Sequence, residues 1–185
     1  KMIRLPKAVK ADQLRIRFLD SRKSISFSNF SLYYLAPFST EDNVEAVRKL
    51  NRKEWKITVA GKNLPAAQLE RLKDGKTDTY VEIGLPPQGC DIVIDTGKVQ
   101  KIAGLIYTPV MEGGPGHIEM YDIRLSSDGK TWGNSVASGR FGNIVNNPVE
   151  QEVNFAPVEA RFVKFSAKKG AGGARKAAVA ELDLL

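Results

Sequence analysis

The chain has 185 residues, 42% of them hydrophobic, with one cysteine, one histidine and a formal net charge of +7. That length and apolar content suit one well-buried domain with residues to spare, and they exclude a wholly disordered chain. A lone Cys90 excludes an intrachain disulfide and reads as a small buried hydrophobe. No stretch reaches the about 18 apolar residues that cross a bilayer, and residues 1–6 lack the apolar core of a secretory leader. The positive charge is scattered, except where Lys164, Lys168, Lys169, Arg175 and Lys176 gather beside a glycine-rich loop. Without zinc-finger spacing, an RNA-recognition aromatic motif or a helix-turn-helix, this charge reads as solvated surface and predicts no nucleic-acid partner.

In chain order, residues 13–20 alternate apolar and polar side chains, the pattern of a half-buried strand. Residues 27–34 predict a second strand after a turn at 21–24. Two strands cannot bury enough surface to stand alone, so residues 1–38 must pack on another body. After Pro37, Ser39 or Thr40 can cap a helix whose first turn holds Glu41 and Asp42. Val44, Val47 and Leu50 form its apolar stripe and Arg48, Lys49 and Arg52 its basic end, predicting a helical linker over 39–54.

Residues 55–185 have a different texture. Strand patterns at 55–59, 92–94, 101–107, 117–126, 135–139, 151–155, 160–167 and 180–185 alternate with turn signals, and a short helix is predicted over 64–72. About eight short strands in this arrangement predict an all-β antiparallel sandwich or barrel. Val153 with Phe155 and Val163 with Phe165 share strand faces and read as core. Phe162 has the opposite parity to Phe165, so one of the two lies outside the main core. Trp132, after the Ser127-Asp128-Gly129 turn, reads as a cover for the end of the core.

Asp74, Thr79 and Glu181 offer hard oxygen ligands from the two ends of this region, and Gly75 permits a tight turn. Carbonyls of residues 71–77 and of Ala180 can complete such a shell, which suits a calcium-like ion. Catalysis has no comparable support. Glu112, Glu119 and Asp122 lie near His117, but Glu119 and Asp122 have opposite strand parity, and no Gly-x-Ser-x-Gly elbow marks a nucleophile. No catalytic residue is assigned.

The order of motifs carries a resemblance. Leu72-Lys73-Asp74-Gly75 with Thr79-Tyr80 is followed by Ile92-Val93-Ile94-Asp95-Thr96-Gly97 and Ile102-Ala103-Gly104-Leu105-Ile106-Tyr107-Thr108-Pro109. Then come Tyr121-Asp122-Ile123-Arg124-Leu125-Ser126-Ser127-Asp128-Gly129-Lys130-Thr131-Trp132, Val153-Asn154-Phe155-Ala156-Pro157, Ala160-Arg161-Phe162-Val163-Lys164 and Ala180-Glu181-Leu182. Over some 130 residues this series resembles the discoidin, or coagulation factor 5/8 type C, domain, and especially the bacterial family 32 carbohydrate-binding modules. The resemblance implies a jelly-roll β-sandwich of the galactose-binding-like kind over residues 55–185, with a structural calcium on Asp74, Thr79 and Glu181. It also implies sugar binding in loops at one end, where Glu112, His117, Arg140 and Asn143 are the candidates. The implied ligand is a glycan with a terminal galactose-, fucose- or hexosamine-type sugar.

Two positions depart from the family pattern. Val110 stands where sugar-binding members often have arginine, and residues 168–176 carry no aromatic. A structural module that braces a catalytic domain without binding sugar therefore stays open, as does an acidic polymer on the 168–176 loop. Residues 9–22 and 30–34 resemble the end of the β-domain that follows the barrel in family 29 α-L-fucosidases. That resemblance implies the C-terminal, non-catalytic region of an exported glycoside hydrolase, secreted or at the periplasm or cell surface, with the catalytic domain of the same chain as its partner.

Overall fold

The computed structural model describes residues 49–111 and 114–185. The strands expected at 13–20 and 27–34, most of the expected linker helix, and Glu112 lie outside the described residues. Residues 49–54 belong to a compact unit spanning residues 47–185, and they are not helical. The Leu50 amide donates to the Leu184 carbonyl at 2.8 Å, and a turn at Lys53-Glu54 leads into the first strand. The helical stripe is overridden there because a backbone pinned to a neighbouring strand cannot close its own i→i−4 bonds.

The described residues form seven strands: β1 (Lys56–Val59), β2 (Val81–Gly84), β3 (Cys90–Pro109), β4 (Ile118–Ser126), β5 (Ser135–Arg140), β6 (Gln151–Gly170) and β7 (Lys176–Leu184). A single helical turn, α1 (Ala66–Leu69), runs into a 3-10 turn at Glu70–Leu72 within the expected helix. All pairings are antiparallel, in the order β2-β7-β3-β6-β4-β5 with β1 also on β3. β3 and β6 pair along both of their halves. Residues 90–95 of β3 lie against β1 and the end of β6, whereas residues 100–109 lie against β7 and the start of β6. The two strands thus pass from one layer of a jelly-roll β-sandwich to the other.

The sequence pattern splits each of these strands in two. The turn expected at Thr96-Gly97 is a bend inside β3, where the register with β6 shifts between Asp95 and Gln100. Gly97 takes φ 84° there, a backbone shape that glycine adopts without strain. The buried Thr96 hydroxyl donates within reach of both the Lys98 carbonyl, at 2.7 Å, and the Arg161 carbonyl, at 2.9 Å. Arg161 closes on Asp95 through Nε and Nη2 at 2.7 and 2.9 Å, so the bend is held by side chains rather than ended by them.

The core fills the space between the layers with β-branched and aromatic residues, among them Ile83, Ile92, Ile94, Ile102, Ile123, Val163 and Phe165. Phe165 is fully buried and Phe162 is not, as their parity predicts. Phe162 instead lies against Gly129 and under the Arg161 guanidinium, 5.0 Å from the ring centre. Trp132 differs from expectation. It is half-buried on the sheet surface with Lys164 Nζ 4.3 Å over its ring, and Trp55 occupies the core instead. Cys90 is buried, its Sγ 3.9 Å from the Ala60 carbonyl, and burial raises its thiol pKa. It therefore behaves as the small hydrophobe expected of it. An aromatic cluster joins Tyr107, Tyr121, Phe141 and Phe165, with the Tyr121 and Phe141 rings stacked at 4.3 Å. The buried Tyr107 hydroxyl is satisfied, donating to the Ala178 carbonyl at 3.1 Å and accepting from the Ile118 amide.

Truncating the two classes of aromatic should therefore give different costs. Phe165→Ala is expected to lose about 3–5 kcal/mol of unfolding free energy in denaturant titration. Trp132→Ala is expected to lose only about 1 kcal/mol, the scale of an exposed cation–π contact. Equal losses would place Trp132 in the core.

Candidate functional site

The residues expected at an ion site do meet. Thr79 Oγ1 donates to Asp74 Oδ2 at 2.8 Å, and the Lys76 amide donates to Asp74 Oδ1 at 2.9 Å. Glu181, buried on β7, sits within side-chain hydrogen-bonding reach of Asp74. Its Oε1 accepts the amides of Gly75 and Lys76 at 2.8 and 3.2 Å. Its Oε2 is bound by the Arg52 guanidinium, a partner the sequence does not announce. Arg52 also lies 3.2 Å from Asp183, which takes Lys49 Nζ at 2.8 Å. Two buried carboxylates on one strand are thus answered by two cations from residues 49–52.

Burial and the neighbouring Asp74 carboxyl push the Glu181 pKa upward against the opposing pull of Arg52. Burial also acts upward on Asp74, but the Lys76 amide and Thr79 hydroxyl hold it below its usual value. Two facing carboxyls with a hydroxyl beside them are a hard-oxygen donor set that fits a calcium-like cation. Arg52 and two backbone amides share the same Glu181 carboxylate, so part of the charge is already compensated.

The other candidates lie at the opposite kind of feature, the end of the sandwich where connections gather. β2 ends opposite the start of β7, β4 starts opposite the end of β6, and β5 ends opposite Met120 near the start of β4. The connections after β2, β3, β5 and β6 therefore all leave from this end. His117 immediately precedes β4, half-buried, and its carbonyl accepts the Ala171 amide at 2.9 Å. Its buried Nδ1 has no hydrogen-bond partner among the described residues, and burial lowers its pKa. Arg140 lies opposite Met120, with Nε donating to Glu119 Oε1 at 2.9 Å. Lys169 Nζ approaches the other Glu119 oxygen at 3.9 Å. Asn143 is turned into the left-handed region at φ 58°, and its Oδ1 accepts the Asn146 amide group at 2.9 Å, so its side chain serves the turn. Val110 is buried with Ala178 and Ala180, against Tyr80.

An open cleft of about 880 Å³ lies at this end, between the connection after β2 and the connection before β7. Leu85, Pro86, Pro87 and Met120 give it an apolar side, and Lys168, Lys169 and Arg175 a basic one. Gly170 closes its wall: a Cβ there would sit 2.1 Å from the Ala174 carbonyl oxygen. Of these residues the sequence marks only the basic cluster. The Pro86-Pro87 pair and the exposed Met120 carry no motif that distinguishes a cleft from a surface loop.

A two-layered antiparallel sandwich with its loops gathered at one end defines the jelly-roll class of β-sandwich domains. Residues 56–182 match the F5/8 type C domain family, and the chain belongs to that family. It is similar to a sialidase of Micromonospora viridifaciens, 34% identical over 93 residues, which cover 50% of this chain and 14% of that protein. It is also similar to a galactose oxidase of Gibberella zeae, 28% identical over 141 residues, covering 73% of this chain and 20% of the relative. The chain thus spans a small part of both curated relatives. Among solved structures, a CBM32 module from Clostridium perfringens in complex with GalNAc-β-1,3-galactose superposes with a TM-score of 0.64 at 22% identity. That superposition covers 75% of this chain and 99% of the module.

The Arg52–Glu181 pair makes a prediction with a definite sign. Arg52→Met leaves Glu181 buried without its guanidinium and is expected to cost about 3 kcal/mol at pH 7. A carboxyl whose folded pKa is raised contributes stability below its unfolded value and loses it as pH rises. The variant's deficit in chemical denaturation should therefore shrink as the pH falls toward 4.5, the ordinary value for Glu181. A deficit that is constant with pH would mean that Arg52 acts through packing alone.

Proposed function

We propose that this F5/8 type C domain is a non-catalytic carbohydrate-binding module that receives the terminal sugar of a glycan at the loop end of its sandwich. The observation that carries this reading is the cleft, with an apolar side against which a pyranose face can lie and polar groups along its edge. The complex of the similar Clostridium module with GalNAc-β-1,3-galactose supports the same ligand class, a galactose-, fucose- or hexosamine-type sugar. His117, whose carbonyl accepts the Ala171 amide, and Arg140, opposite Met120, are the hydrogen-bonding candidates at the same end of the sandwich, and Glu112 stands in the adjoining connection in sequence. Asn143 spends its Oδ1 on its own turn, which leaves its amide NH2 as the group it can offer a sugar.

The resemblance of residues 9–22 and 30–34 to the β-domain of family 29 fucosidases supports an exported glycoside hydrolase of that type as the parent. The catalytic domain of the same chain would then be this module's partner. A second reading has its own observation: Val110 is turned into an apolar cluster with Ala178 and Tyr80, and presents no guanidinium to a sugar. A module of this kind can brace a neighbouring domain without binding a glycan. A glycan array with the full chain separates the two. Binding to at least one galactose-, fucose- or hexosamine-terminated glycan, weakened about tenfold by His117→Ala, supports the first reading. That loss is the order expected for removing one well-placed hydrogen bond. No binding to any glycan leaves the bracing role.

Calcium belongs to the same proposal, as a structural ion held by Asp74, Thr79 and Glu181. When bound, it would supply positive charge to two facing carboxyls. Millimolar calcium should then raise the melting temperature by about 5 °C or more in wild type and not in Asp74→Asn, because a ligand that binds only the folded state stabilises it by mass action. A melting temperature indifferent to calcium and to chelator would remove the ion from the reading.

A further inference from the structure

The cleft has a charge character that a neutral sugar does not need. Its basic side comprises Lys168 and Lys169 at the end of β6 and Arg175 just before β7, all exposed, and no acidic residue lines it. Nearby cations are already committed: Lys176 Nζ pairs with Glu82 at 2.8 Å, and Arg140 holds Glu119. Lys169 lies 3.9 Å from Glu119, a carboxylate that Arg140 already serves. Among the described residues, no carboxylate lies within salt-bridge distance of Lys168 or Arg175. Three cations beside one concave surface repel one another, and an anion entering between them relieves that repulsion.

The apolar side narrows the class of anion. Leu85 is buried, while Pro86, Pro87 and Met120 present exposed apolar surface toward the same space. An extended polyanion that tracks charge alone gains nothing from that floor. A ring with one apolar face and one anionic substituent gains from both sides. We infer that the cleft selects an acidic saccharide, a sugar ring bearing a carboxylate or a sulfate ester, with Lys168 and Arg175 as the residues that read the charge. The inference rests on the carbohydrate-binding reading above and specifies its ligand class.

The experiment is calorimetric titration of the full chain with matched pairs: galactose against galacturonic acid and against a galactose sulfate, each as the terminal unit of the same short oligosaccharide. Polyglutamate serves as a charge-only control. At low salt the better acidic saccharide is expected to bind about tenfold more tightly than its neutral counterpart, the order two partly exposed ion pairs supply. The two acidic arms show whether the recognised group is the carboxylate or the sulfate. The preference should shrink as salt screens exposed charge, and fall below about twofold in Lys168→Gln/Arg175→Gln. Equal or tighter binding of the neutral sugar overturns the inference and leaves the carbohydrate-binding module standing. Polyglutamate binding as tight as that of the acidic saccharide also overturns it, by showing that charge suffices. No binding to any saccharide removes both.

Discussion

Two strands of twenty residues each, β3 and β6, hold the molecule together by pairing with one another through both layers. Once this ladder is fixed, β7 and β2 have a place on one side of it and β1, β4 and β5 on the other. The ladder also decides where function can sit. Because it bends at Thr96 and Gly97 rather than ending there, the two layers are made by one ribbon. The strand ends at Gly84, Pro109, Arg140 and Gly170 are then brought to a common end. Binding residues belong on such connections, since loops vary without disturbing the pairing that supports them.

β7 completes the arrangement at an electrostatic cost. It is buried along nearly its whole length between β2 and β3, and yet it carries Glu181 and Asp183. A buried carboxylate is tolerated when its oxygens are bonded and its charge is matched. Here the amides of Gly75 and Lys76 and the guanidinium of Arg52 do this for Glu181, whereas at Asp183 Lys49 bonds Oδ2 and Oδ1 has only the nearby charge of Arg52. The same bonds fasten residues 49–52 and the 74–76 turn to the last strand. The start of the compact unit is thereby locked to its end, by side chains whose removal exposes a buried charge rather than a surface one.

Much of this was legible in the sequence, for physical reasons that differ from residue to residue. Alternation at 118–126 and the β-branched run at 92–94 reveal strands directly, because a pleated ribbon buries every second side chain. The opposite parities of Phe162 and Phe165 show which one enters the core. The convergence of Asp74, Thr79 and Glu181 follows from motif order, which compresses about a hundred residues of separation into one contact. The continuity of β3 and β6 was hidden, because Thr96-Gly97 is the same signal for a bend as for a turn. Only the partners Lys98 and Arg161 distinguish the two. The helix expected over 39–54 does not extend through its described residues 49–54, because local periodicity knows nothing of the Leu184 carbonyl that claims the Leu50 amide. Trp132 misled because an indole's size suggests core, whereas Lys164 makes a surface position favourable for it.

The loop end was the least legible part, and the reason lies in how a cleft is made. Strands reveal themselves by repetition, but a cleft is assembled once, from residues that share no period. Leu85, Pro86 and Pro87 come from one connection, Met120 from a strand start, and Lys168, Lys169 and Arg175 from the two sides of another. Apart from Leu85, which belongs to the core, none of these residues has a local reason to be apolar or basic, since the ladder does not use their side chains. Arg140 shows the contrast. It is a sugar-binding candidate by resemblance, but Glu119 beside it absorbs its charge. The cations left to face solvent are those no motif singled out individually, and their shared cleft is visible only once the ladder has set β6 and β7 end to end with β2.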